Sequence, residues 1–148
     1  MITRAIRSLL FSLVIISCDS QLEDDPIPVA FFDDIVVNLN FPEYIDLRRD
    51  DGVVALNEPS AGVRGIILYR QSASVYFAYE RNCSFRPNEA CATIDIHSSG
   101  LFLIDSCCGS TFDLSSGTPT GGPAWRPLVR YNAQIDGSLL TITDQIVN

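Results

Sequence analysis

The residues able to do chemistry in this chain crowd into two short stretches. Cys83 and Cys91 flank the run Ser84–Phe85–Arg86–Pro87–Asn88–Glu89–Ala90. Cys107 and Cys108 stand side by side in Asp105–Ser106–Cys107–Cys108–Gly109–Ser110–Thr111–Phe112–Asp113. Thiols in such loops can bond one another or hold a metal. Structural zinc sites usually present cysteines two to four residues apart. Here seven residues separate the first pair and none the second, so the spacing points to disulfides and no metal is expected. Four cysteines allow three connectivities, and adjacent cysteines rarely bond. That leaves Cys83–Cys108 with Cys91–Cys107, or Cys83–Cys107 with Cys91–Cys108. The single histidine, His97, follows Ile94–Asp95–Ile96, where alternation sends it and Asp95 to the solvent side. The chain has no lysine, which excludes Schiff-base chemistry and a phosphate-binding P-loop. No serine sits in a nucleophile elbow, and no catalytic residue is expected.

The elements that must position these thiols read as strands throughout. Residues 35–39, 53–56, 65–69, 75–80, 91–96, 101–104, 128–135 and 139–143 are short and rich in Val, Ile, Tyr and Phe. Turn residues separate them: Asp50–Asp51–Gly52, Gln71–Ser72, Ser98–Ser99–Gly100 and Asp136–Gly137. Ile135–Asp136–Gly137–Ser138–Leu139 is a hairpin signal, and residues 40–47 allow one short helical turn. Strands of this length and spacing predict an all-β, antiparallel sandwich or small barrel.

The amino-terminal part predicts a different location from the cytosol. Arg4 and Arg7 precede an apolar run over residues 8–16, too short to cross a bilayer core of about 30 Å as a helix. This is a secretory leader. It ends in Ile15–Ile16–Ser17–Cys18, which resembles a bacterial lipobox, so Cys18 is the expected site of lipidation. Such an acyl chain anchors a protein to a membrane without spanning it. Asp19, Glu23, Asp24 and Asp25, with two prolines, predict an extended acidic tether over residues 18–30. An acidic run after the cysteine also resembles the surface-export signal of Bacteroidetes lipoproteins. The expected organisation is therefore a signal peptide over 1–17, the tether over 18–30, and one all-β domain over 31–148. The expected location is the bacterial cell envelope, at the outer membrane or the cell surface. Loss of Arg4 and Arg7 takes the formal charge from −8 to −10, which repels phosphate backbones and argues against nucleic-acid binding. A protein partner remains open, and Trp125 between Pro123 and Pro127 is either an interface anchor or a lid over the cysteine turn.

From Tyr79 to Leu139 the chain resembles a Rieske domain. That family carries Cys-x-His in one loop and Cys-x-x-His-Gly-Ser-x-Phe/Tyr-Asp in a second, then a glycine-rich loop with Gly-Pro-Ala and a closing hairpin. The matching residues are Cys83–Ser84–Phe85, Asp105 through Asp113, Gly122–Pro123–Ala124 and the hairpin at Asp136–Gly137. The resemblance implies a Rieske-type fold with two cysteine-bearing loops at one end. It also implies four ligand positions, because a Rieske centre needs two thiolates on one iron and two imidazoles on the other. These positions hold Cys83, Phe85, Asp105 and Cys108. A phenyl ring donates no lone pair, so the resemblance implies a vestigial site without its [2Fe–2S] cluster. Rieske proteins of cytochrome bc complexes often carry a further disulfide between these loops, at positions close to Cys91 and Cys107. It therefore favours the pairing Cys91–Cys107 with Cys83–Cys108. The expected role is that of a disulfide-stabilised binding or structural module. The alternative is an electron-transfer protein with an atypical [2Fe–2S] centre.

Overall fold

The computed structural model describes residues 25–56, 58 and 60–147. The leader, Cys18 and the start of the acidic stretch lie outside the described residues. Ten strands form in order: β1 (Ile35–Asn38), β2 (Val53–Leu56), β3 (Ile66–Ser72), β4 (Val75–Glu80), β5 (Ile94–Ile96), β6 (Leu103–Asp105), β7 (Thr111–Phe112), β8 (Pro119–Gly121), β9 (Arg130–Asp136) and β10 (Leu139–Ile146). The allowed helical turn is a 3-10 segment, Pro42–Arg48, with proline in its first turn and a kink at Tyr44. The fold is all-β and every strand pairing is antiparallel.

Two sheets result. Six strands run β1-β10-β9-β4-β3-β2, and four run β5-β6-β7-β8. The β9–β10 hairpin closes where its turn residues predict, with Gly137 at φ +61. The β3–β4 turn falls two residues later than Gln71–Ser72, because β3 continues to Ser72 against Val75. Edge strands β1 and β2 lie at opposite ends of the large sheet, yet Val37 and Leu56 belong to one buried cluster with Leu68, Ala78 and Ile142. The sheet therefore curls round its own core.

Strand alternation explains how the small sheet attaches. On β3, Ile66 and Leu68 face the inside of the curl, whereas Ile67 and Tyr69 face a second cluster. That cluster holds Tyr79, Cys83, Ile94, Leu103, Phe112 and Leu128. A strand buried on both faces reads as a continuous apolar run, as Ile66–Ile67–Leu68–Tyr69 does. Full burial of each such side chain contributes about 1.5–3 kcal/mol.

The segment before β1 has no regular structure, but it lies against the body from its first described residues. The Asp25 carbonyl accepts from Arg126 Nη1 at 2.8 Å, Ala30 is buried, and Phe32 meets Tyr131 edge-on at 5.0 Å. The packed part of the chain thus begins ahead of Phe31. Among the described residues, no helix is long and apolar enough to cross a membrane.

Candidate functional site at the two cysteine loops

Both cysteine loops project from the ends of strands that meet in the second cluster. The first joins β4 to β5 and is closed at its base by the Asn82–Thr93 bridge. The second joins β6 to β7 in a turn whose geometry comes from Asp105. Its Oδ1 accepts from the Cys107 amide at 2.7 Å, and its carbonyl accepts from the Gly109 amide at 2.8 Å. Gly109 sits at φ +75, a conformation open to glycine at little cost. The loop after β8 then folds over the turn. Ala124 N donates to Ser110 Oγ at 3.0 Å, and Gly122 lies so close that a Cβ would fall 2.5 Å from Ser110 Cα.

Two arginines fix the first loop. Arg64 reaches from the β2–β3 connection to bond Asn82 Oδ1 and the Ala90 carbonyl, each at 2.6 Å, and also the Glu89 carbonyl. Arg126 donates from Nε and Nη2 to the Ser84 carbonyl at 3.2 and 2.7 Å, while Ser84 Oγ donates back to the Arg126 carbonyl at 2.6 Å. A buried carboxylate supports the whole base. Glu80 accepts from the amides of Val63, Arg64 and Asn82 and from Tyr131 Oη, at 2.7 to 3.0 Å. Apart from the Glu80–Asn82 contact, two residues apart, these partners carry no local sequence signal: they stand 16 to 51 residues apart and only the fold brings them together.

The cysteines divide into a bonded pair and a free pair. Cys91 and Cys107 form a disulfide, with Cα atoms 5.5 Å apart, that ties the two loops together. Cys83 and Cys108 remain thiols, so the second bridge expected between them is not formed. Asp105 supplies the physical reason. Cys108 Sγ bonds Asp105 Oδ2 at 3.3 Å and Ser110 Oγ at 3.0 Å, and its sulfur is satisfied without Cys83. Cys83 is fully buried, and burial, reinforced by the Asp105 carboxylate, pushes its thiol well above the ordinary range. A thiol held protonated is a poor partner for disulfide formation.

The fold brings together three of the four ligand positions implied by the resemblance. Donor atoms of Cys83, Asp105 and Cys108 lie within 4.8 Å of one another. Phe85 packs against the second apolar cluster instead. A pocket of about 390 Å³ opens beside them, lined by Phe85, Glu89, Asp105, Cys107, Cys108 and Pro123. His97 stands elsewhere: its ring stacks on Phe102 at 4.1 Å and its Nδ1 meets Ser99 Oγ at 2.9 Å. Asp95 pairs with Arg81, not with His97. Trp125 is half-exposed beneath the Arg126 guanidinium, and Pro123 rather than Trp125 borders the cysteine pocket.

No protein-family model matches this chain, and neither does any curated protein. Solved structures do resemble it. The cyanobacterial plasma membrane Rieske protein PetC3 from Synechocystis PCC 6803 superposes with a TM-score of 0.50 at 20% identity, over 67% of this chain and 92% of that one. Two others are the complex of reduced oxygenase and oxidized ferredoxin in carbazole 1,9a-dioxygenase (TM-score 0.48, 14% identity, 68% of this chain and 87% of that one) and the Sphingomonas yanoikuyae B1 ferredoxin (0.45, 16%, 64% and 87%). The likeness to the cyanobacterial protein is one of fold: the chain has the fold of a Rieske domain. Its donor set differs from what a Rieske centre takes. Two sulfurs and one carboxylate converge, Phe85 packs against the apolar cluster, and the described histidine lies outside the group. That set does not fit two thiolates on one iron and two imidazoles on the other.

Proposed function

We propose that this chain is an exported lipoprotein, anchored through acylated Cys18, whose Rieske-fold domain works without an iron–sulfur cluster as a binding or structural module of the cell envelope. The observation that supports it most is Phe85. Its ring packs into the apolar cluster at a position where the resemblance calls for an imidazole. A phenyl ring has no lone pair to offer iron, so one of the four implied ligand positions lacks a donor. The Cys91–Cys107 bridge secures the two loops to each other, a role suited to an oxidising compartment.

The convergence of Cys83, Asp105 and Cys108 favours a second reading, an electron carrier with an atypical [2Fe–2S] centre. The two readings separate cleanly. Full-length protein purified from membranes in detergent is expected to be colourless, EPR-silent and free of stoichiometric iron and acid-labile sulfide. A coloured protein that bleaches in the Cys83→Ser variant would establish the electron carrier instead. For the anchor, Cys18→Ser is expected to lose incorporated acyl label and to leave the membrane fraction. Unchanged membrane retention would refute lipidation at Cys18.

A further inference from the structure

We infer that Cys83, Asp105 and Cys108 form a binding site for one thiolate-seeking divalent cation of the zinc class, its fourth coordination position open to the pocket beside Phe85. This inference rests on the reading that no cluster occupies the site.

The geometry suits a single ion. Around a tetrahedral zinc, with bonds of about 2.3 Å to sulfur and about 2.0–2.2 Å to oxygen, donor atoms lie roughly 3.5–3.8 Å apart. The three donors here already lie within 4.8 Å of one another, and Cys108 Sγ is 3.3 Å from Asp105 Oδ2. Shifts of about an ångström or less would close the shell. Each donor is also held in place. Cys83 follows the Asn82–Thr93 bridge, Asp105 ends β6, and Cys108 is fastened to its turn by Ser110.

The surroundings of Asp105 point the same way. Its side chain is fully buried, and its partners are one backbone amide and thiol groups, which are weak donors. Buried carboxylates are ordinarily paired with cations or coordinate metals. Two thiols that give up their protons to solvent as the ion binds, with a carboxylate, form a donor set in which soft sulfur selects zinc over magnesium or calcium. The Cys91–Cys107 bridge consumes the other two thiols of these loops, so the set ends at three protein ligands. Three ligands with an open position leave room for water or for an anionic group entering from the pocket. Cys108 is half-buried on that side, which gives the ion a way in.

The test uses the full chain in detergent, handled without reductant strong enough to open Cys91–Cys107. Metal content is measured as purified and after loading with zinc chloride or cobalt chloride, followed by desalting. The inference expects about one zinc per chain, near-UV thiolate-to-cobalt charge-transfer bands, and a half-buried Cys108 thiol that reacts with a disulfide reagent only after chelation, with Cys83 reacting only on denaturation. Cys108→Ala and Asp105→Asn are each expected to weaken binding at least tenfold. Circular dichroism checks that the variants fold, and Cys108→Ala decides the matter if Asp105→Asn does not. Failure to bind either ion, cobalt spectra without thiolate bands, undiminished binding in folded Cys108→Ala, or a Cys83–Cys108 disulfide in the purified protein would each overturn it. Iron and acid-labile sulfide are measured on the same sample. Their presence at stoichiometry sinks the cluster-free reading and this inference together, whereas an iron-free protein that ignores zinc sinks this inference alone.

Discussion

Asp113 shows how much one side chain can organise next to the cysteine turn. Its Oδ1 accepts from the amides and the hydroxyls of both Ser115 and Ser116, at 2.7 to 3.1 Å. These bonds favour the charged form, so its carboxyl sits below the ordinary value of 3.8. Asp113→Ala is expected to lower stability by about 1–2 kcal/mol near neutral pH, read from urea unfolding. The sign of the pH effect follows from the depressed value. The native form binds this proton less readily than the unfolded chain, so the contribution is complete above 3.8 and drains away as pH falls below it. Wild type and Asp113→Ala should therefore converge in stability toward strongly acid pH. A gap that stayed constant down to about pH 2 would assign the effect to packing instead. At this same scale the site was only half legible. The sequence marks Cys83, Phe85, Asp105 and Cys108 through the resemblance, but it does not say whether two sulfurs bond or share a carboxylate. That choice depends on Asp105 Oδ2 lying 3.3 Å from Cys108 Sγ, a distance set by the β6–β7 turn.

Among the elements, the loop over residues 122–128 bears most directly on the site, because it is pressed against the cysteine turn. Gly122 at φ +79 has no room for a Cβ, whereas Gly137 at φ +61 has open space around it. Gly137→Ala should cost only the backbone term, about 1 kcal/mol. Gly122→Ala adds a collision with Ser110 Cα and the Gly109 carbonyl, and should cost roughly 2–3 kcal/mol. Equal losses in the two variants, measured by chemical denaturation, would show that the loop can move aside freely. Strands β1 to β6 and the closing hairpin were legible because runs such as Ile66–Ile67–Leu68–Tyr69 and Val75–Tyr76–Phe77 carry their burial in their composition. Strands β7 and β8 were not. Thr111–Phe112 is two residues long, and Pro119–Thr120–Gly121 has no apolar alternation. Their place depends on long-range register: Leu103 stands opposite Phe112, and both are buried in the second cluster. The Glu80 and Arg64 clamps were invisible for a similar reason: their partners converge only once the sheet has curled.

On the scale of the whole molecule, the Cys91–Cys107 bond is the disulfide among the described residues, and it ties the two cysteine loops across a sequence separation of 16. A bridge enclosing a loop of that size stabilises by about 3 kcal/mol in the chain-entropy account. Its reduction should lower the melting temperature by roughly 10 °C without abolishing the fold, because the six-stranded sheet and its own core lie outside the loop. Loss of all cooperative unfolding on reduction would show that the large sheet cannot stand alone. Arg126 adds a consequence for where this architecture can operate. It grips the Asp25 carbonyl and the Ser84 carbonyl together, so the described chain begins beside the loop that carries Cys83. If Cys18 is acylated as proposed, the leash from Cys18 to Asp25 can reach at most about 25 Å. The loop that carries Cys83 would then ride within that distance of the lipid headgroups, and a partner of the cysteine pocket would be met close to the bilayer surface.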